Sequence, residues 1–281
     1  MTDLAALRAA ITADSAARGA PISKLGFFCA PFRPTSGPLS DRVIKVYRGL
    51  TDVAALERLA ACHADYVAAI LATGVRMPET EFHLLEMEDG VRVPVVVQEA
   101  LDVETLMRPR MIADPLPRTL EHMEAAGHVV ARFWTRTDLD ATRIGFHPSI
   151  RNLAIVDGEG VFFDTFPPLI HYSRDEMGAM LATYSDKPLM RVLAPFMRRK
   201  LTAVQDEWYS PPETLVGLVG SACRLRPDDA PAYLDWGRDF ARREMTPWQD
   251  EILPELAEPP RLSGLWTGMR KVLGLQGEPN V

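Results

Sequence analysis

Residues 145–168 read GFHPSIRNLAIVDGEGVFFDTFPP. A polar stretch ends in Asn152, an apolar run follows, a glycine-containing turn breaks it, and a second apolar run delivers Asp164. The pattern predicts a β-hairpin that holds an amide at one end and a carboxylate at the other. Asp164 follows Val161, Phe162 and Phe163 and precedes Thr165 and Phe166, so it needs a metal or a lysine to offset its desolvation. Asn152 has a second use open to it, capping a turn through its own side chain. His147 stands just before the asparagine, and its role decides what chemistry the stretch supports.

Upstream of this hairpin the chain reads as strands around one long helix. SKLGFFCAPF (23–32) and RVIKVYRGL (42–50) are strand-like, and the turn-rich RPTSGPLSD (33–41) joins them. A helix is predicted from Asp52, its N-cap, to about Thr73, with Gly74 as its stop. EFHLLEMED (81–89) and VRVPVVVQEAL (91–101) follow as strands, and Pro94 places the start of the second at an edge or a bulge. From residue 116 the pattern turns helical: 116–137 before the hairpin, then 174–184, 187–207, 212–224 and 229–244, then a Pro- and Gly-rich tail. Strands first and helices later predict an α+β protein of two lobes, a small β-rich lobe over 1–101 and a large helical lobe over 102–281, hinged near Gln98 to Leu101.

This order resembles the protein-kinase-like superfamily, in particular its aminoglycoside phosphotransferase and choline kinase branch. The matching features are a strand lysine in RVIKVY, a long helix, a strand ending VVVQEAL, a loop ending in Asn152, and a hairpin ending in Asp164. The resemblance covers about residues 22–245 and implies a two-lobed kinase-like fold using ATP and Mg²⁺. It implies that Lys45 holds nucleotide phosphates, that the backbone of Gln98, Glu99 and Leu101 meets adenine, and that Asn152 and Asp164 bind the metal. Lys45 also has the ordinary reading of a lysine snorkelling from a half-buried strand.

Three departures from the family pattern stand out. His147 occupies the place of the aspartate in the catalytic D-x-x-x-x-N. The stretch 33–41, read as the phosphate loop, offers only Gly37 between Ser36 and Pro38. The carboxylate expected to pair with Lys45 is Glu57 in the first half of the long helix, with Asp65 a second candidate, while His63 lies on the apolar stripe of Leu56, Leu59, Val67 and Ile70.

A neutral imidazole is a stronger base near pH 7 than a carboxylate, and phosphoryl transfer depends more on positioning than on base strength. His147 can therefore orient or deprotonate an acceptor, or simply bond the loop backbone. Without the aspartate's negative charge, the acceptor is expected to be a neutral or anionic small molecule, with Arg143 and Arg151 nearby. Three function classes stay open: a small-molecule phosphotransferase, a pseudokinase, and a kinase fold turned to another reaction with His147 as base.

Bulk properties narrow these classes. The net charge of −7, from 31 basic against 38 acidic residues, argues against a general nucleic-acid partner. Cys29, Cys62 and Cys223 form no C-x-x-C pair, which fits a reducing cytoplasm and neither a disulfide framework nor a zinc knuckle. The N-terminal MTDLAALRAAITADSAARGAP reads as an amphipathic helix and not as a signal peptide, and no run is apolar enough to span a membrane. The Ala- and Arg-rich composition fits a bacterial source. No Ser-His-Asp or Rossmann signature is present.

Overall fold

In a computed structural model of the chain, residues 2–13, 29–183 and 206–260 are described, without the side chains of 181–183. They form the expected α+β architecture of two lobes, a small three-stranded antiparallel sheet and a larger helical part carrying a two-stranded hairpin. The helix expected over 187–207, most of the strand over 23–32 and the tail beyond residue 260 lie outside the described residues.

Helix α1 (Leu4–Thr12) begins at Asp3, whose carboxylate accepts the Ala5 and Ala6 amides. Its Leu7 and Ile11 cover one face of the sheet. The sheet order is β1 (Arg42–Val46), β3 (Arg92–Glu99), β2 (Thr80–Glu86). Strand β3 is central and buried on both faces, which explains its unbroken VPVVV run. Its side chains alternate, as the pleat requires: Val93, Val95 and Val97 join Ile44 and α1, while Val96 faces Tyr47, Leu59 and Phe166. Lys45 lies opposite Val96, and so it too is turned away from the α1 core.

The expectation from Pro94 is corrected. Its strand is the centre of the sheet, and the β2–β3 register runs without a bulge from Thr80↔Gln98 to Glu86↔Arg92. A strand residue points its N–H and C=O to the same side. The Pro94 carbonyl accepts the Tyr47 amide, so the missing N–H faces the β1 side just beyond Val46, the last paired residue. Only the return bond to the Tyr47 carbonyl, at the very end of the ladder, is forgone there.

Helix α2 (Val53–Ala72) is capped by the Asp52 carboxylate on the Ala55 amide at 2.8 Å, and Gly74 follows with φ of 78°. Replacing Asp52 with alanine is expected to lower stability by about 1 kcal/mol in urea unfolding. The buried stripe of α2 is Leu56, Leu59, Cys62, His63, Tyr66 and Ile70. Leu59 packs under the sheet, whereas Cys62, Tyr66 and Ile70 enter the large core, so one helix joins both lobes.

The large core forms around α4 (Leu116–Arg136), preceded by the short α3 (Met107–Ala113), which the sequence pattern did not reveal. After the hairpin come α5 (Arg174–Thr183), α6 (Pro211–Leu225), α7 (Ala230–Glu244) and α8 (Gln249–Glu255). Trp134, Phe133 and Phe146 are fully enclosed, with Phe133 and Phe146 stacked at 4.2 Å. Strands β4 (Leu153–Val156) and β5 (Glu159–Phe162) turn through Asp157 and Gly158, both at positive φ, the Asp-Gly solution for a tight hairpin. Gly160 lies directly on α4: a Cβ there would come within 2.5 Å of Val129 and 2.7 Å of the Ala125 carbonyl oxygen. That contact seats the hairpin on the helical lobe and aims its open end at the sheet.

Candidate functional site

The hairpin's open end carries the site. Past the Leu153↔Phe162 pair, the Phe163 amide donates to the Asn152 carbonyl at 3.1 Å. Asn152 and Asp164 therefore emerge side by side where the ladder ends, as the sequence pattern predicted. From β1, the Lys45 ammonium donates to the Phe163 carbonyl at 2.8 Å, which bridges the two lobes. Burial pulls the Lys45 pKa below its ordinary value, and the neighbouring Asp164 carboxylate opposes that shift. Lys45, His147, Asn152 and Asp164 are thus brought to one place between the lobes.

Asp164 is half-buried, and its carboxylate accepts no hydrogen bond from a described residue. The Asn152 amide nitrogen donates to the His147 carbonyl at 3.0 Å and also lies 3.4 Å from His147 Nδ1. The amide is thereby oriented with its nitrogen towards His147, leaving Oδ1 without a described donor. Two hard oxygen ligands with spare lone pairs, one of them anionic, suit a Mg²⁺ that completes its octahedron with water and phosphate oxygens. Among the described residues no cluster of three or more His, Cys, Asp or Glu side chains could hold a metal unaided.

The lysine's helical neighbour corrects the sequence expectation. Glu57 lies on the exposed face of α2, and Asp65 is exposed and paired with His171 at 3.0 Å. Neither can reach a lysine that is 8% exposed on the other side of the helix. The side chain that α2 turns to the site is His63, whose Nε2 lies 2.9 Å from Thr165 Oγ1 and whose ring is tilted against Phe82 at 4.8 Å. Burial and then the Lys45 charge push the His63 pKa down to about 3, so it is neutral at physiological pH. Lys45 and His63 grip the chain on either side of Asp164, one through the Phe163 carbonyl and one through the Thr165 hydroxyl.

His147 stacks on Trp208 at 4.7 Å with planes 28° apart. The Trp208 carbonyl also accepts the Phe146 amide at 2.6 Å, so the segment before α6 is fastened to this loop. Burial lowers the His147 pKa, and the Asp164 charge partly opposes it. The ring is a neutral imidazole near pH 7. Arg143 is already engaged, donating to the Tyr172 carbonyl at 2.9 Å and lying over the Tyr209 ring at 3.8 Å.

Two further expectations change. The Gln98 side chain is buried and donates to Thr80 Oγ1 at 2.9 Å, the Glu99 amide donates to the Glu79 carbonyl, and the Ala100 amide donates to the Asp41 carbonyl. These donors serve the sheet, and Leu101 keeps the one backbone N–H of the segment with no described partner. The stretch 33–41 is not beside the phosphate position. It enters β1 at Arg42, the residue opposite Glu99, whereas Lys45 stands about 10 Å further along the strand. Phe32 pairs with Ile44 on the outer edge of β1, which brings Cys29 to the lysine end, where it acts on both Lys45 and Tyr47. Residues 14–28, which lead into Cys29, lie outside the described residues.

Sequence reasoning missed Thr165, Trp208 and the turning-in of His63. His63 was legible as a member of the apolar stripe. Trp208 carried no local signal, since only long-range packing brings it to His147.

Comparison with solved structures finds WaaP in complex with acyl carrier protein, at 14% identity and a TM-score of 0.38, the match covering 86% of this chain and 90% of that one. The Legionella pneumophila LegK7 effector kinase matches at 13% identity and a TM-score of 0.38, over 96% of this chain and 66% of that one. No curated protein sequence matches the chain. A family model described as "Family of unknown function (DUF6206)" matches residues 6–277.

Proposed function

This chain belongs to the DUF6206 family, and we propose that it is a kinase-like phosphotransferase that binds ATP with Mg²⁺ and acts on a small molecule. The observation that carries the reading is the meeting of Lys45, Asn152 and Asp164 between the lobes, with spare acceptor oxygens on the asparagine and the aspartate. When bound, Mg²⁺ would supply charge neutralisation between Asp164, the Asn152 oxygen and the phosphates. Lys45 is a point charge already held at the hairpin, and its ammonium would meet a phosphate oxygen there. Leu101 offers the backbone N–H for the base. His147, neutral and stacked, orients the acceptor.

A second reading is a nucleotide-binding pseudokinase. It is favoured by the two neutral imidazoles, His63 and His147, that stand where the family resemblance implies carboxylates.

Thermal and chemical unfolding with a non-hydrolysable ATP analogue tests both. With Mg²⁺ and nucleotide at about a hundred times the Kd, stability should rise by about 2.7 kcal/mol. Absence of any rise at millimolar nucleotide overturns both readings. Lys45→Met should weaken nucleotide binding about tenfold, the loss of one charge-assisted contact. Binding with no turnover on any acceptor would select the pseudokinase.

A further inference from the structure

The side-chain amide of Gln98 is aimed by a relay of three residues. The Pro78 carbonyl can only accept, and the Thr80 hydroxyl donates its single proton to it at 2.8 Å. Towards Gln98 the Thr80 oxygen is therefore an acceptor, so the group 2.9 Å from it is the Gln98 NH₂. Turning the amide over would set Gln98 Oε1 against a hydroxyl oxygen whose proton is already used. The relay thus fixes Nε2 towards β2 and Oε1 away from it. Gln98 is 2% exposed, yet its Oε1 accepts from no described residue. Nor is that oxygen enclosed, so a ligand can reach it. An acceptor left bare in so buried a side chain is costly until a donor meets it.

The place of this oxygen suggests the donor. Side chains alternate along β3, and Gln98 shares its face with Val96, the partner of Lys45, about 7 Å away along the strand. Leu101, whose backbone N–H has no described partner, follows three residues later. Oε1 therefore stands between the lysine proposed to hold phosphates and the N–H proposed to meet the base. Together they offer one acceptor and one donor. Adenine presents the complement, an amino group at C6 beside a bare ring nitrogen at N1. A 6-oxo purine presents the reverse, a carbonyl oxygen at C6 beside an N1–H. Against such a base, Oε1 would meet an oxygen and the Leu101 N–H another N–H.

We propose that Gln98 reads the nucleobase through its side chain, Oε1 accepting from the exocyclic amine of adenine. Thr80 is the positioning residue: by accepting from Nε2 it keeps the amide from turning its NH₂ to the base. The proposal rests on the nucleotide-binding part of the reading above and adds a specificity-determining side chain to the backbone contact at Leu101. A site built to accept from the amine rejects the analogue that lacks it, because the acceptor is then left facing an oxygen.

The test is calorimetric titration of the full chain with ADP and with IDP, each with Mg²⁺. The two ligands differ only at the purine N1 and C6 positions, so phosphate and metal contacts cancel in the ratio of their affinities. The wild type should bind ADP about tenfold or more tighter than IDP. Gln98→Met keeps the length of the side chain without the amide oxygen, and ADP should weaken about tenfold while IDP changes little. Thr80→Val keeps the shape of that side chain and removes its oxygen, which frees the amide to turn. The ADP-to-IDP ratio should then fall at least about threefold with Gln98 intact, an effect that loss of sheet stability alone would not give. Equal affinities in the wild type, or a ratio that survives in either variant, overturn the proposal. Equal binding of the two ligands defeats this inference alone, whereas failure of both to bind at millimolar concentration defeats the nucleotide-binding reading and this inference with it.

Discussion

Asp164→Asn is expected to abolish the Mg²⁺-dependent part of nucleotide stabilisation. In the wild-type protein that part is the difference between unfolding with nucleotide plus Mg²⁺ and with nucleotide plus EDTA. It approaches about 2.7 kcal/mol when the metal complex is at a hundred times its Kd. Asparagine keeps the size of the side chain and one acceptor oxygen but removes the only carboxylate that the hairpin offers a cation. Mg²⁺ surrenders its water reluctantly and needs a charged oxygen to hold it beside the phosphates. The metal-free nucleotide increment should survive, because Lys45 and Leu101 are untouched. A variant that keeps the full Mg²⁺-dependent increment would show that the cation binds elsewhere.

The second large effect is on acid stability, and it comes from His63. Its pKa is about 3 in the folded protein, against about 6.5 for an exposed histidine. Between those values the unfolded chain carries a proton that the folded chain does not. Stability therefore rises with pH across this window and is lost as pH falls through it. From pH 7 to pH 5 the His63 share of that loss is about 2 kcal/mol. His63→Gln retains an amide able to bond Thr165 but cannot titrate. Its urea midpoint should consequently fall much less on acidification than that of the wild type. His147 is shifted the same way by burial and adds a slope of the same sign, which the variant leaves in place. Parallel acid profiles for the two proteins would mean that His63 is not neutral in the folded state.

These two residues also mark how far the sequence could be read. The hairpin was legible because its physics is local: an Asp-Gly turn between apolar runs fixes which residues end up at its mouth, and Asn152 and Asp164 are there. The N-cap of α2 and the alternation of β3 were legible for the same reason. The facing of α2 was half legible. The apolar stripe already included His63, but the expectation of an ion pair with Lys45 favoured Glu57, which lies on the exposed face. Burial decided the question against charge: a neutral imidazole with a hydroxyl partner meets a smaller desolvation penalty than a carboxylate would.

What depends on distant parts of the chain was not legible at all. Trp208 reaches His147 only through the packing of the segment before α6. The position of residues 33–41 depends on which end of β1 meets Glu99, a matter of register that a strand pattern does not contain. The backbone of Gln98 and Glu99 was expected to meet adenine because the use of these residues in the sheet, down to the Glu99 amide on the Glu79 carbonyl, has no sequence signal. Pro94 misled in the opposite direction. Its missing donor falls where β1 stops, so a central strand tolerates it.

The convergence of Lys45, Asn152 and Asp164 on a metal–nucleotide site is tested most directly by paramagnetic broadening. Mn²⁺ bound to a non-hydrolysable ATP analogue would be titrated into ¹⁵N-labelled full-length protein. The amides of Lys45, Asn152, Phe163 and Thr165 should broaden first, while those of α7 stay sharp. Broadening centred elsewhere, or none at saturating metal–nucleotide, would contradict the assignment of the site.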